Sequence, residues 1–166
     1  MARSNRLVSE FYELKVRQLM DKRVWDLPLV DKKEEIIHIL NILGARTHIW
    51  VVNDKETKEL IGVITEHDAL AILTPKEFPS YVFGIPDIRS IQYGTAKTAE
   101  DIMSTNPISC KPDDKIVDAL MKMTKNNIRR LAVVEEKKII GELTLHHLIM
   151  KYYTAMSYYP IAEEKG

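Results

Sequence analysis

Cysteine is almost absent from this sequence of 166 residues, and the single one, Cys110, has no partner in the chain with which to form a disulfide. Its neighbours Ile108, Val117 and Leu120 are apolar. A cysteine in such surroundings behaves as a small hydrophobic residue of the interior. Because a chain without disulfides fits a reducing compartment, we expect a cytoplasmic protein.

Neither sign of charge is in excess, since 24 lysines and arginines balance 24 aspartates and glutamates. A neutral chain has no overall positive field that would gather nucleic acid or an anionic membrane. No apolar run approaches the length of about 18 residues that a membrane span needs. The opening MARSNRLVSEFYELK also lacks the apolar region of a secretion signal. We therefore expect neither membrane insertion nor secretion.

One sequence pattern occurs twice in this chain. Residues 61–70 read IGVITEHDAL, and residues 140–149 read IGELTLHHLI. Around each phrase the same features recur in the same order: a helical turn, a short extended stretch, an amphipathic helix, two strands joined by a charged turn, and a helix that begins at a threonine. Repeats that each leave an apolar face uncovered bury those faces against one another.

Hydrophobic spacing identifies the elements of each copy. Apolar residues at positions i, i+3, i+4 and i+7 predict one amphipathic helix per copy, formed by Ile36, Ile39, Leu40 and Leu43 and then by Ile116, Ala119, Leu120 and Met123. The runs IWVV (49–52) and LAVV (131–134) predict buried strands, and LIGVIT and IIGELT predict the strands that follow them.

These elements predict an α+β fold in which two β-α-β-β-α repeats pack with pseudo-twofold symmetry into one compact body. The predicted divisions are an N-terminal extension (1–14), a first repeat (15–73), an ordered connector (74–95), a second repeat (96–153) and a C-terminal tail (154–166). Thr95 or Thr98 is expected to cap the helix that enters the second repeat. We expect the connector aromatics to pack on the body, namely Phe78, Tyr81, Phe83 and Tyr93.

The junction Thr65-Glu66-His67-Asp68 joins a predicted strand to a predicted helix. A threonine followed three residues later by an acid is typical of a capping box, in which each residue satisfies a main-chain N–H of the other. The same geometry suits a nucleotide, because free N–H groups at a helix start attract phosphate. A nearby carboxylate can in addition accept hydrogen bonds from both hydroxyls of a ribose. The two interpretations are compatible.

With this junction repeated in tandem, the sequence resembles the CBS-domain family, named after cystathionine β-synthase. The resemblance covers about residues 15–73 and 96–153. It is carried by HIWVV…LIGVITEHDAL, by IRRLAVV…IIGELTLHHLI and by the stretch PISCKPDDKIVDAL. The resemblance implies paired domains that bind adenosine-containing ligands in clefts lying between the repeats.

The resemblance also implies roles for particular residues. In the cleft of the first repeat, Asp68 would hold the ribose and Thr65 would lie near the phosphate or the ribose. The base pocket would be formed by Val63, Pro107, Ile108 and Ile128. Phosphate contacts would come from Arg129, Arg130 and His146.

The second repeat departs from this pattern at one position. Thr144 keeps the capping threonine, but His147 stands where the first repeat has Asp68. A neutral imidazole has one acceptor and cannot receive two ribose O–H groups as a carboxylate can. We therefore predict that the second cleft binds ribose more weakly and that the Asp68 cleft is the principal site. Two alternatives remain for His147, a vestigial cleft or a cationic group that favours phosphate.

Other chemistry finds less support in the sequence. The histidines at the two helix starts have no nearby set of cysteine or carboxylate ligands at metal-site spacing, so we expect no metal. Arg129 and Arg130 also fit a solvated pair at a strand start. Cys110 has no visible base beside it, and the chain has neither a Gly-x-Ser-x-Gly motif nor a phosphate-binding glycine loop. We therefore predict that the protein is not an enzyme.

Three functions follow from these patterns. The first is a regulatory sensor that binds AMP, ADP or ATP, or S-adenosylmethionine, requires no cofactor and signals to an unknown protein target. The second is a ligand-free dimerisation or scaffold module. The third and weakest is a nucleic-acid binder using Arg17, Arg23, Arg46, Arg129 and Arg130. The resemblance also implies a homodimer, and the aromatic tail residues either form its interface or cover the chain's own core, namely Tyr152, Tyr153, Tyr158 and Tyr159.

Overall fold

The structure is a computed structural model that describes residues 2–74 and 96–157. The predicted connector aromatics, Thr95, Tyr158 and Tyr159 lie outside the described residues. Within them the chain is α+β, as predicted. The helices are α1 (Ala2–Glu13), α2 (Val16–Leu19), α3 (Ile36–Leu43), α4 (Glu66–Leu73), α5 (Ile116–Asn126) and α6 (Leu145–Ser157). The strands are β1 (Leu29–Asp31), β2 (His48–Val52), β3 (Leu60–Thr65), β4 (Ser104–Thr105), β5 (Ser109–Cys110), β6 (Arg130–Glu135) and β7 (Lys138–Thr144).

The described residues divide into two compact units. The first-repeat unit consists of residues 28–74 and 96–107, and the second-repeat unit consists of residues 2–27 and 108–157. Each unit contains the strand, helix, two strands and helix that the sequence pattern predicts.

The first-repeat unit is built on a four-stranded sheet of order β1-β2-β3-β4. Strand β1 runs parallel to β2, and the other neighbours are antiparallel. Helix α3 lies on this sheet through the apolar face predicted from its spacing, because Ile39 is fully buried and Ile36 and Leu43 pack beside it. Alternate strand residues complete the core on this helix-packed face, including Val30, Ile49, Val51 and Ile64.

The second-repeat unit has a three-stranded sheet of order β5-β6-β7. Helix α5 packs on it through Ile116, Ala119 and Met123, all buried as the spacing predicts. Cys110 lies in this core, and burial raises the pKa of its thiol to about 12. Its prediction as an apolar filler is therefore confirmed. Tyr152 packs against the same core and meets the ring of Phe11 edge to face.

The short helical turn that begins each repeat packs in the unit of the other repeat. Helix α2 is joined to the start of α5 by main-chain hydrogen bonds, from Val16 N to the Asp114 oxygen at 2.9 Å and from Ile116 N to the Leu14 oxygen at 2.8 Å. The 3₁₀ turn Ala99–Asp101 is joined in the same way to the residues before α3. Thr98, one of the two threonines predicted as the cap, caps that turn.

Helix α1 was not predicted from the sequence. The sequence predicts an N-terminal extension over residues 1–14, and the structure places a helix there with Phe11 in the core of the second-repeat unit. The spacing of Leu7, Phe11 and Leu14 is the signal that reveals this apolar face.

The two repeated glycines allow a second chain segment to approach the sheet. A β-carbon on Gly141 would collide with the main-chain carbonyl oxygen of Asp21, and one on Gly62 would collide with the side chain of Met103. Asp21 forms a two-way main-chain bridge with Glu142, with N–O distances of 2.8 and 3.1 Å. A glycine at position 141 is therefore what lets Asp21 reach the edge of β7.

Candidate functional site

The start of α4 is a capping box formed by Thr65 and Asp68, the two residues of the predicted nucleotide clamp. Thr65 ends β3 in an extended conformation and Asp68 lies in the first turn of α4. The Asp68 Oδ2 atom accepts hydrogen bonds from the Thr65 main-chain N–H at 2.7 Å and from its hydroxyl at 3.1 Å. Its second oxygen, Oδ1, accepts no hydrogen bond from any residue that the structure describes. The half-buried carboxylate can thus cap the helix with one oxygen and keep the other for a ligand.

The sheet face beside this helix start is the one opposite the helix-packed face. Cross-strand pairing sets His48 opposite Thr65, and Trp50 opposite Val63. On its other side Val63 pairs with Ser104 of β4. Paired residues of neighbouring strands project from the same face of a sheet. Val63 therefore offers an apolar surface two residues before the capping box, as the predicted base pocket requires.

The matching helix start in the second-repeat unit keeps the cap and lacks the carboxylate. The Thr144 hydroxyl accepts a hydrogen bond from the main-chain N–H of His147 at 3.1 Å. His147 is half-buried in the position that corresponds to Asp68. The threonine hydroxyl thus caps one main-chain N–H of this helix start, and the histidine side chain takes no part in that hydrogen bond.

A buried charge that sequence reasoning missed distinguishes this second helix start further. Glu142 occupies the place on β7 that Val63 occupies on β3, and it is only 6% exposed. Its Oε1 atom lies 3.3 Å from the Nη1 atom of Arg130. The lone acid in the apolar strand IIGELT and the arginine at the start of β6 are the signals that predict this pair. A charged side chain thus stands where the first-repeat unit has the apolar side chain of Val63.

Asp21 adds a further charge beside His147. The Arg23 guanidinium donates a hydrogen bond to Asp21 at 2.7 Å and lowers the pKa of that carboxyl to about 2, and the nearby His147 acts in the same direction. The position of Asp21 beside β7 corresponds to that of Ser104 beside β3. This helix start is therefore surrounded by charged side chains.

The remaining predicted site residues are distributed over both units. Pro107 is half-buried in the first-repeat unit, whereas Ile108, Ile128, Arg129 and His146 belong to the second-repeat unit. Ile128 packs against the core of that unit. Arg129 and His146 are exposed, and the main-chain oxygen of Arg129 accepts a hydrogen bond at 2.8 Å from the first residue of α6. The structure thus brings Arg129 and Arg130 to the start of α6, with Thr144 and His147.

The described residues contain neither a cluster of metal ligands nor a helix that could span a membrane. Among residues 2–74 and 96–157, no group of three or more histidine, cysteine, aspartate or glutamate side chains is arranged to hold a metal ion. None of the helices described there is both long enough and apolar enough to cross a bilayer.

The family of the chain follows from its match to the CBS-domain model. That model matches residues 16–74 and 99–153, which is most of the chain. This chain therefore belongs to the CBS-domain family, as the repeated phrase predicts.

A curated protein that resembles this chain is much longer than the chain. The chain is 28% identical over 152 residues to a protein named homoserine O-acetyltransferase from Methanosphaera stadtmanae, matching 89% of this chain and 26% of that protein. The chain thus spans about a quarter of this longer relative.

Solved structures of CBS pairs share the fold. CBSX2, a CBS-pair protein of Arabidopsis thaliana, has been solved in complex with AMP, and this complex matches with a TM-score of 0.66 and 22% identity over 84% of this chain and 97% of that one. The CBS domain pair of MJ0100 in complex with 5'-methylthioadenosine and S-adenosyl-L-methionine matches with a TM-score of 0.60 and 23% identity, covering 85% of this chain and 97% of that one. At this level of identity the likeness concerns the fold.

Proposed function

We propose that this chain binds an adenosine-containing ligand and reports its presence to a partner protein, without catalysing a reaction. AMP, ADP and ATP are the first candidates, followed by S-adenosylmethionine. Membership of the CBS-domain family and the adenosine ligands named for CBSX2 and MJ0100 support this class of ligand.

The observation that carries the proposal is the open oxygen of Asp68. Oδ1 has two acceptor positions beside a helix start, while Oδ2 already satisfies the cap. A ribose can therefore be bound through its two hydroxyls without loss of the capping box. The first N–H groups of α4 and its positive dipole end favour a phosphate nearby. Val63 supplies the apolar surface that a purine base prefers.

We propose Arg129 and His146 as phosphate contacts ahead of Arg130. Arg129 and His146 are exposed, and within the described residues neither has an ion-pair partner. The Arg130 guanidinium already lies 3.3 Å from the buried Glu142 carboxylate and would have to give up this ion pair in order to bind phosphate. Pro107, Ile108 and Ile128 remain proposed contacts of the base.

We further propose that one adenosine ligand binds per chain. The start of α6 differs from that of α4 by His147 in place of Asp68 and by the pair of Glu142 and Arg130 in place of an apolar surface. A ligand there would meet an acceptor-poor imidazole and the ion pair of a buried glutamate, both unfavourable for a ribose and a purine.

A thermal-shift panel tests this function. AMP, ADP, ATP, S-adenosylmethionine and NADH are added separately to the purified protein. A ligand at about 100 times its Kd should stabilise the protein by about 2.7 kcal/mol. For a domain of this size that stabilisation raises Tm by roughly 5 to 10 °C. Guanosine and cytidine monophosphates serve as controls, and an unchanged Tm with every adenosine compound would reject the proposal.

A second candidate function is self-association through the second-repeat unit. An apolar groove of about 450 Å³ lies there among α1, α5 and α6, and Tyr12, Ile149 and Tyr153 are exposed along it. Exposed aromatic clusters are typical of interfaces. Analytical ultracentrifugation of the wild type and of Tyr153→Ser tests this function. A dimer that the variant weakens supports it, whereas a wild-type monomer at high concentration refutes it.

Most of the arginines proposed to bind nucleic acid form ion pairs with carboxylates of this chain. Arg17 pairs with Asp113 at 2.8 Å and Arg23 pairs with Asp21 at 2.7 Å. Paired arginines contribute little net positive potential, so this alternative receives no support from the described residues.

A further inference from the structure

Trp50 is a buried donor without an acceptor. Its side chain lies in β2 and the residue is only 2% exposed, yet its indole Nε1–H donates no hydrogen bond to any residue that the structure describes. Buried tryptophans usually find a partner for this group. An exception is a recognised pointer to a function or to a bound molecule.

The location of Trp50 connects this donor with the proposed ligand site. Trp50 pairs across the strands with Val63, on the sheet face that does not carry the hydrophobic core of the first-repeat unit. Its ring meets the His48 ring edge to face, with 5.3 Å between centroids, and His48 pairs with Thr65. The Trp50–Val63 pair therefore lies next to the His48–Thr65 pair on this sheet face, and Thr65 is the capping residue of α4.

The corresponding place in the second-repeat unit has no such donor. Ala132 pairs with Glu142 there as Trp50 pairs with Val63. The donor is thus confined to the unit that also has the open carboxylate oxygen of Asp68.

We propose that the Trp50 indole N–H donates a hydrogen bond to a ring nitrogen of the purine base whose ribose is held by Asp68. This inference rests on the proposed function. An indole N–H is a donor only, and the unprotonated ring nitrogens of adenine are acceptors, so the two groups are complementary. A site built to hydrogen-bond its ligand discriminates strongly against analogues that lack the partner atom, because its own polar group is then left unpaired. Trp50 would therefore select a purine with an acceptor at one particular ring position.

Replacement of the donor alone is the first test. Trp50→Phe keeps an aromatic ring and removes the N–H, and we expect the Kd for AMP to rise about tenfold, which corresponds to about 1.4 kcal/mol. Trp25→Phe is the matched control, since Trp25 is 82% exposed, and its Kd for AMP should equal that of the wild type. An unchanged affinity of a folded Trp50→Phe would overturn the inference.

A second measurement needs no change at Trp50. The chain has two tryptophans, so the Trp25→Phe protein labelled with ¹⁵N has a single indole N–H signal, that of Trp50. We expect AMP to move this signal downfield, and one of 1-deaza-, 3-deaza- and 7-deaza-AMP to bind about tenfold more weakly and to leave the signal near its free position. An equal downfield shift with AMP and with all three analogues, or no shift with AMP, would overturn the inference.

The failure of this inference differs from failure of the proposed function. If AMP does not bind to the wild type at all, the proposed function fails. If AMP binds and Asp68→Ala weakens AMP binding, but the indole signal shifts equally with AMP and with all three deaza analogues, only the role of Trp50 is refuted.

Discussion

Exchange of the carboxylate at the start of α4 for the histidine found at the start of α6 is the most informative single substitution. Asp68→His leaves one acceptor where the carboxylate offers both the Oδ2 cap and the open Oδ1 atom. At least one charge-assisted hydrogen bond to ribose should be lost, at about 1.5–3 kcal/mol. We therefore expect the Kd for AMP to rise by roughly tenfold to a hundredfold.

The capping box of the 3₁₀ turn supplies a matched control for this variant. Asp101 accepts hydrogen bonds from the Thr98 main-chain N–H at 2.9 Å and from its hydroxyl at 3.2 Å, as Asp68 does with Thr65, and a third from the Lys97 main-chain N–H at 2.8 Å. Asp101→His should therefore cost at least as much stability as Asp68→His, about 1 kcal/mol or more, without touching the ligand. Isothermal titration with AMP gives the affinities and urea unfolding gives the stabilities. Equal AMP affinity in Asp68→His and Asp101→His would refute the reasoning.

Three further outcomes follow from the geometry. Gly141→Ala should destabilise the protein by about 3 kcal/mol in urea unfolding, and by more than Gly62→Ala, because the new β-carbon meets a main-chain oxygen of Asp21 instead of a movable side chain. Asp21→Asn should lower the free energy of unfolding at pH 7, because the hydrogen bond from Arg23 holds the pKa of Asp21 at about 2, below its ordinary 3.8. The ionised Asp21 carboxylate therefore stabilises the fold fully above about pH 4. The difference in unfolding free energy between the variant and the wild type should shrink as the pH falls towards 2. Cys110 should react with a thiol reagent at pH 8 only on unfolding, because burial raises its pKa to about 12, and rapid labelling of the native protein would contradict its buried position.

Local sequence patterns predicted most of the elements correctly. The apolar spacing of α3 and α5 reflects helices that bury one face, and the buried strands β2 and β6 reflect apolar runs. Packing between segments far apart in the chain was harder to predict from the sequence. No local pattern indicates that Val16 and Ile116 share one core, because their contact depends on hydrogen bonds between segments about a hundred residues apart.

The candidate site was predictable where it depends on motifs and unpredictable where it depends on pairing. Thr65 and Asp68 were identified from a spacing of three residues, and the structure joins them. Glu142 and Trp50 were missed because their meaning depends on what lies across the strand. A glutamate in a strand suggests an exposed position until its register opposite a buried residue is known. Trp50 suggests a core residue until its N–H is found without an acceptor.

A crystal structure of the protein with AMP tests the central claim most directly. The account predicts one nucleotide per chain, with its ribose hydroxyls within hydrogen-bond distance of Asp68 and no nucleotide beside Thr144 and His147. A nucleotide at the start of α6 with the start of α4 empty, or a ribose that makes no contact with Asp68, would contradict it.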